Sequence, residues 1–271
     1  MTTARPTRPS KISSAPFAVF VPTRAEMKPI TTALQSTRQS ASRSDSMIRI
    51  AVGDRVLLLA RTGVGPDHAE AAARRLFEET PIAAAVSLGV AGGLSPQAQT
   101  GDLIVGDRVI LRRSSGQVLD REKGVRLESF PCDSRLQDTA TTVLRRWGSR
   151  HHLGPILTVD RIVLTEEKHR LAVESGAIAL DMESAAIASA ASARSIPFLA
   201  VRGVLDTVDE DLAMGFDQFL DGRGEPQPLL LIRYLIGHPF TVPHMVGLGL
   251  RTKAVCARLG RLLQELSTSL S

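Results

Sequence analysis

Acids and arginines recur at the ends of apolar runs, where they could act together. In VPTRAEM (Val21 to Met27), Arg24 and Glu26 follow the apolar stretch Pro16 to Phe20. A guanidinium there would hold an anion, and a carboxylate would hold a proton or a water. In ALDMESAAIA (Ala179 to Ala188), Asp181 and Glu183 flank Met182 ahead of an alanine-rich stretch. Helix capping accounts for one acid at such a place, and Ser184 offers a second cap. Two acids around a methionine are harder to dismiss. In VRGVLDTVDED (Val201 to Asp211), Arg202 and Asp206 stand at the end of another apolar run. Each of these signals taken alone is better read as structural. Together they describe a pocket of carboxylates and a guanidinium.

Two glycine-rich stretches accompany them. TGVGPDHA (Thr62 to Ala69) opens a helix but lacks the third glycine of a dinucleotide fingerprint and the lysine of a P-loop. SLGVAGGL (Ser87 to Leu94) ends an apolar run. Its glycines would let backbone approach a ligand, or serve a simple bend from strand to loop.

The elements that must carry these residues alternate. Residues 16–22 read as a buried strand and 25–35 as a helix with Pro29 in its first turn. Residues 36–46 read as a loop. Residues 47–65 read as a hairpin turning at Gly53-Asp54, and Pro66–Glu79 as a helix with proline at its start. Strands are expected over Gly101–Leu111 and Gly154–Leu164, with 112–130 as a loop. Helices are expected near 133–147 and over Glu166–Ser175. A short strand then leads into the alanine-rich helix, and a last strand ends at Asp206. Continuous apolar strands between helices argue for an α/β sheet covered on both faces. The candidate residues fall at strand ends, where such folds place ligands.

The bulk properties set limits. The chain has 271 residues, 43% apolar and 23% charged, as in a soluble globular protein. Its net charge of +5 is small and gathers toward the ends. Without basic patches interleaved with aromatics, nucleic acid is not an expected partner. Cys132 and Cys256 lie in no metal-ligand spacing, so free thiols are expected. His151 and His152 are adjacent and would point apart, as surface residues do. No apolar run reaches membrane-spanning length, and the start of the chain lacks the apolar core of a signal peptide. Localisation is therefore expected to be cytoplasmic.

The order GVG, LGVAGGL with GDLIV, LDMESAAIA and IPFLAVRGVLDT resembles the nucleoside phosphorylase superfamily. Within it the chain is most similar to the methylthioadenosine/S-adenosylhomocysteine nucleosidases, over about residues 16–215. The resemblance implies a three-layer α/β/α fold with a mixed, partly barrel-like central sheet, and cleavage of the N-glycosidic bond of a purine nucleoside without a cofactor. It implies that Asp206 protonates purine N7, that Glu26 activates water and that Arg202 supports that site. Glu183 would hold the ribose hydroxyls with Met182 against the sugar. Asp181, Gly89, Val90, Ala91, Ile162 and Val163 would complete the substrate site. Asp206 has to be protonated to act, so burial is expected to hold its proton. A homo-oligomer, a dimer first, is the expected assembly.

The departures bear on the chemistry. Val90 and Ser87 stand where related phosphorylases carry a phosphate-binding serine and arginine, which favours water over phosphate. PTRA around Arg24 nonetheless resembles a turn with which some phosphorylases hold phosphate, so Arg24 stays a candidate anion ligand. Ile162 stands near the place of a base-stacking phenylalanine, Leu205 replaces a serine and Asp181 a commoner glutamate. These departures also leave open a weakened, nucleoside-binding protein. The organisation expected is a disordered basic segment at 1–15, a catalytic domain at 16–223 and a C-terminal helical extension at 224–271. The extension has an apolar side (Val255, Leu259, Leu262, Leu263, Leu266) and a basic one. Docking on the core is the first reading, and contact with a membrane surface the second. With the AGGL and DMES variants, the extension resembles a hopanoid-associated subgroup, which implies a lipid-linked nucleoside, adenosylhopane, as substrate.

Overall fold

The computed structural model describes residues 15–34, 38–43, 47–113, 126–210 and 242–270; all but the last residue of the segment expected to be disordered at 1–15, and the start of the C-terminal extension, lie outside them. In chain order the elements are β1 (Phe17–Val21), α1 (Arg24–Leu34), β2 (Arg38–Arg43), β3 (Met47–Val52), β4 (Arg55–Arg61), α2 (Pro66–Glu79), β5 (Ala84–Gly93) and β6 (Leu103–Arg113). They continue as β7 (Arg126–Pro131), α3 (Ser134–Arg146), β8 (His151–Thr158), α4 (Thr165–Ser175), β9 (Ala179–Asp181), α5 (Ser184–Ser192), β10 (Phe198–Asp206) and α6 (Val242–Ser269).

All ten described strands join one mixed sheet. Part of it closes on itself. β5 runs parallel to β10, which pairs antiparallel with β6; β6 runs parallel to β8, β8 to β9, and β9 returns antiparallel to β5. From β5 the sheet continues through β1 and β4 to β3 and the edge strand β2. Every residue of β1 and of β10 is buried, as continuous apolar strands covered on both faces require. α2 packs on α5, and α6 on α1 and α3, giving helix layers about the sheet. This is the α/β architecture expected, with the barrel-like closure confined to β5, β6, β8, β9 and β10.

Most elements fall where periodicity placed them. The β3–β4 hairpin turns at Gly53, whose φ of 56° is left-handed. Three expectations change. Residues 38–43 and 126–131 form the strands β2 and β7 rather than loops. Both are largely polar, and β7 is largely exposed at the edge; apart from Phe130, which packs on the core, the backbone ladder holds it. β8 ends at Thr158, which leaves Ile162 and Val163 in a connecting loop rather than a strand. Pro29 lies in the second turn of α1 rather than the first, because the helix begins directly after Thr23. Both cysteines are buried and unpaired with each other.

The described part of the C-terminal extension, α6, docks on the core. Val255, Cys256, Leu259, Leu262, Leu263 and Leu266 of α6 belong to the main core. The apolar side considered for a membrane surface is therefore spent on the protein itself. Two glycines allow the close approach. A Cβ on Gly203 of β10 would lie 1.7 Å from Val255 Cγ1, and one on Gly260 would lie 2.6 Å from the Ile30 carbonyl oxygen. Gly260 faces backbone, which cannot turn aside as a side chain can. Gly260→Ala is accordingly expected to destabilise the protein by about 1–3 kcal/mol, read as a lowered denaturation midpoint with unchanged m-value in chemical unfolding.

Candidate active site

The ends of β1, β5, β9 and β10 meet at a cavity of about 190 Å³. Each element delivers one part of its wall, and the local sequence explains each delivery.

The end of β1 delivers Glu26. Thr23 caps α1: its hydroxyl accepts from the Glu26 N–H at 3.3 Å, while Glu26 Oε2 accepts from the Thr23 N–H at 3.1 Å and its hydroxyl at 2.7 Å. This reciprocal capping box fixes the glutamate in the first turn. Its other oxygen, Oε1, accepts the Val90 N–H at 2.9 Å. A Cβ on Gly89 would lie 2.8 Å from Oε1, so the glycine makes room for the carboxylate. Burial raises the Glu26 pKa, against the opposing hydrogen bonds of Thr23 and Val90 and the charge of Arg202.

The end of β9 delivers Asp181 and Glu183. Asp181 caps α5, accepting from Ser184 N–H at 3.2 Å, and also takes the Thr158 hydroxyl at 2.7 Å. The cap comes from Asp181 rather than from Glu183 or Ser184. Glu183 is left to the cavity, where its Oε1 accepts the Gly65 N–H at 3.0 Å. Gly65 has φ 101° and heads α2. The first glycine-rich stretch thus presents a backbone donor to a carboxylate of the site. Burial, with Asp181 beside it, pushes the Glu183 carboxyl up to about 8, while Arg202 and Gly65 pull the other way.

The last strand delivers Arg202 and Asp206. Arg202 is wholly buried: Nε donates to Asp181 Oδ2 at 2.7 Å and Nη2 to Ser87 Oγ at 2.8 Å. It stands behind the cavity and is not part of its lining. The expected catalytic arginine is therefore an internal anchor, and Asp181, which pairs with it, is as much anchor as wall. Asp206, past an irregularity in the β5–β10 register, lies over Gly92, where a Cβ would come within 3.2 Å of its carboxylate.

Met182, Val90, Ala91, Ile162 and Val163 line the same cavity as Glu26, Glu183 and Asp206. Gly89 sits behind its wall against Glu26. Arg24 is exposed and outside the lining, because the capping box turns Glu26 inward and leaves position 24 on the outer face of the first turn. The expected anion ligand is thus not in the site. One residue that sequence reading passed over is. Lys168 of α4 is buried, and its ammonium donates to Asp206 Oδ2. The only sequence signal was its spacing of three from Leu171, the other buried residue of that helix. Among the described residues, the basic side chains lining the cavity are Lys168 and Arg161, and Arg161 is held by Glu167 at 2.7 Å.

The chain as a whole is similar to known proteins. A 5'-methylthioadenosine/S-adenosylhomocysteine nucleosidase of Oceanobacillus iheyensis is 25% identical over 184 residues, which cover 66% of this chain and 80% of that protein. The crystal structure of the Campylobacter jejuni nucleosidase of the same name superposes with a TM-score of 0.70 at 16% identity, over 93% of this chain and 98% of that one. The Neisseria meningitidis nucleosidase, in complex with methylthio-immucillin-A, superposes with a TM-score of 0.68 at 18% identity, over 94% and 99%. The family model described as the phosphorylase superfamily matches residues 16–234, and the chain belongs to that superfamily.

Proposed function

We propose that the protein is a nucleosidase, hydrolysing the N-glycosidic bond of a 5′-substituted purine nucleoside to free base and sugar. The observation that carries this reading is the convergence of Glu26, Glu183 and Asp206 on one otherwise largely apolar cavity. Cleavage of an N-glycosidic bond leaves positive charge on the sugar, which carboxylates stabilise. Glu26, ionised when it acts as a base, repels phosphate there. The cavity's two basic residues, Arg161 and Lys168, are engaged by Glu167 and Asp206. Water is the nucleophile that fits.

The role of Glu26 follows from its lone pairs. Glu26 Oε2 already accepts two hydrogen bonds, whereas Oε1 accepts one and retains a place for water. Glu26 is the base, its affinity for a proton raised by burial. Glu183 is placed to accept from the ribose hydroxyls, and Asp206 to give a proton to the departing base. The apolar part of the lining (Val64, Val90, Ala91, Ile162, Val163, Leu180, Met182, Leu205) favours an apolar 5′ group. A thioether fits that description, and so does the hydrocarbon of adenosylhopane.

Incubation with methylthioadenosine, S-adenosylhomocysteine and adenosylhopane, each with and without phosphate, tests the reading by free adenine. Adenine release independent of phosphate is expected. Release only with phosphate would make the enzyme a phosphorylase, and ligand binding without release would make it a binding protein. Asp206→Asn should lower turnover about 10²–10⁴-fold and leave the fold intact.

Two further outcomes follow from the carboxylates' surroundings. Glu26 must be ionised to act, so the acidic limb of kcat/KM lies above the ordinary glutamate value of 4.5. Thr23→Val removes a donor that favours the ionised form, so that limb moves to higher pH. Glu183, with its pKa raised, binds a proton in the folded state that the unfolded chain has lost. Its contribution to stability is full below 4.5 and is lost as pH rises toward about 8. Glu183→Gln removes that loss. The melting temperature of the ligand-free variant should match wild type near pH 4.5 and exceed it increasingly toward pH 8, while nucleoside binding weakens.

A further inference from the structure

The nucleosidase reading gives Asp206 the task of protonating the leaving base, which requires a proton to be there. Burial alone would hold one. The structure instead sets the Lys168 ammonium against Asp206 Oδ2, and a cation at hydrogen-bond distance favours the ionised carboxylate. The lysine is not a chance neighbour. It is buried within α4, and its other two N–H donors go to the carbonyl oxygens of Thr207 at 2.9 Å and Glu210 at 2.5 Å. An ammonium has three donors, and all three are used. The side chain is therefore held with one N–H on the proposed acid, on the wall of the cavity.

We infer that Lys168 and Asp206 work as a unit that carries one proton for the departing base, with the ammonium as its source. The inference rests on the nucleosidase reading. As the bond between C1′ and the purine nitrogen breaks, its electron pair passes to the purine ring. The Nζ–H bond of Lys168 gives its proton to the Asp206 carboxylate, and the carboxyl so formed gives a proton to purine N7. The base leaves neutral, Asp206 ends as it began, and the lysine amine regains a proton from water after release. Lys168 acts only through Asp206. A resting carboxylate beside the sugar also stabilises positive charge there, which a carboxyl would not.

Other charged groups stand near the pair. Glu26, Asp181, Glu183 and Arg161 line the cavity, and Arg202 lies behind it. On the outer side, His169 pairs with Asp209 at 3.1 Å, Glu167 holds Arg161, and the Glu210 carboxylate accepts from the Thr207 N–H at 3.1 Å. Each of these remains when Lys168 alone is changed, so a difference between variants reports the pair. That includes Glu183, whose titration near 8 is common to all of them.

The bland alternative is a staple in which Lys168 only ties the 207–210 turn to α4. Lys168→Met and Lys168→Arg separate the two. With the proton carried by the pair rather than by the carboxyl alone, wild-type kcat/KM should persist into alkaline pH. In Lys168→Met the proton has to reside on Asp206 itself. Its alkaline limb should fall about two pH units lower, with turnover at pH 8 reduced about 100-fold. Arginine keeps the cation but does not give up its proton, so Lys168→Arg should fold and bind yet turn over about 100-fold more slowly. Infrared difference spectra read the acid directly. Lys168→Met minus wild type should gain the C=O band of one protonated carboxyl, and Asp206→Asn in the same background should remove it. An unmoved limb, wild-type turnover in Lys168→Arg, or no new band would each overturn the proposal. If Lys168→Met does not fold, the arginine variant decides. A wild type that releases no base from any nucleoside would remove the nucleosidase reading and proton delivery with it, while the infrared arm would still decide the ion pair.

Discussion

The ion pair between Arg202 and Asp181 is the contact on which the rest of the site depends. Both side chains are fully removed from solvent. An isolated buried charge is costly, and such a pair survives only where further hydrogen bonds complete it. Here they are complete. Ser87 on β5 takes the second guanidinium contact, while Thr158 on β8 and the first N–H of α5 take the aspartate. Four strands and a helix are thereby tied at one point. The same guanidinium lowers the proton affinity of Glu26 and Glu183, which burial raises. One cation inside the wall thus lets two further carboxylates sit in a largely apolar cavity without presenting positive charge to whatever enters it.

The site reuses fold-forming devices. Glu26 belongs to a helix capping box, Gly65 turns the chain into α2 and also donates to Glu183, and Asp181 caps α5. A cap is a local, rigid arrangement, so a cavity group that doubles as a cap needs no long side-chain network to hold it. This economy made the site partly legible. The pairs Arg24 with Glu26 and Asp181 with Glu183 were visible as acids and cations at strand ends, but not which member faces the cavity. That choice was latent in the T-x-x-E spacing of Thr23 and Glu26, which places position 26 on the inner face and position 24 outside.

The rest was hidden for definable reasons. β2 and β7 are largely polar strands, and period-2 hydrophobicity cannot mark strands with so little apolar alternation. The closure of β5 onto β10 joins residues more than a hundred positions apart, which no local pattern encodes. Lys168 is the sharpest case. In EEKHRL it looks like any solvated basic residue of a helix, and α4 carries too few apolar residues for its buried face to stand out. Only the packing of α4 against the turn after β10 reveals that its ammonium enters the site.

The C-terminal helix bears on the chemistry from behind. Cys256 of α6 is fully buried and lies close enough to Glu26 and Arg202 to feel both charges. Leu259 and Val255 continue that surface against α1 and β10. This wall excludes water from the rear of the site. In a dry setting charges act over longer range and carboxylates hold protons more strongly. The buried surroundings that raise the proton affinity of Glu26 therefore include a helix that contributes no polar group to the cavity. Gly203 and Gly260, by letting α6 approach within contact of β10 and α1, help set the electrostatics of a site neither of them touches.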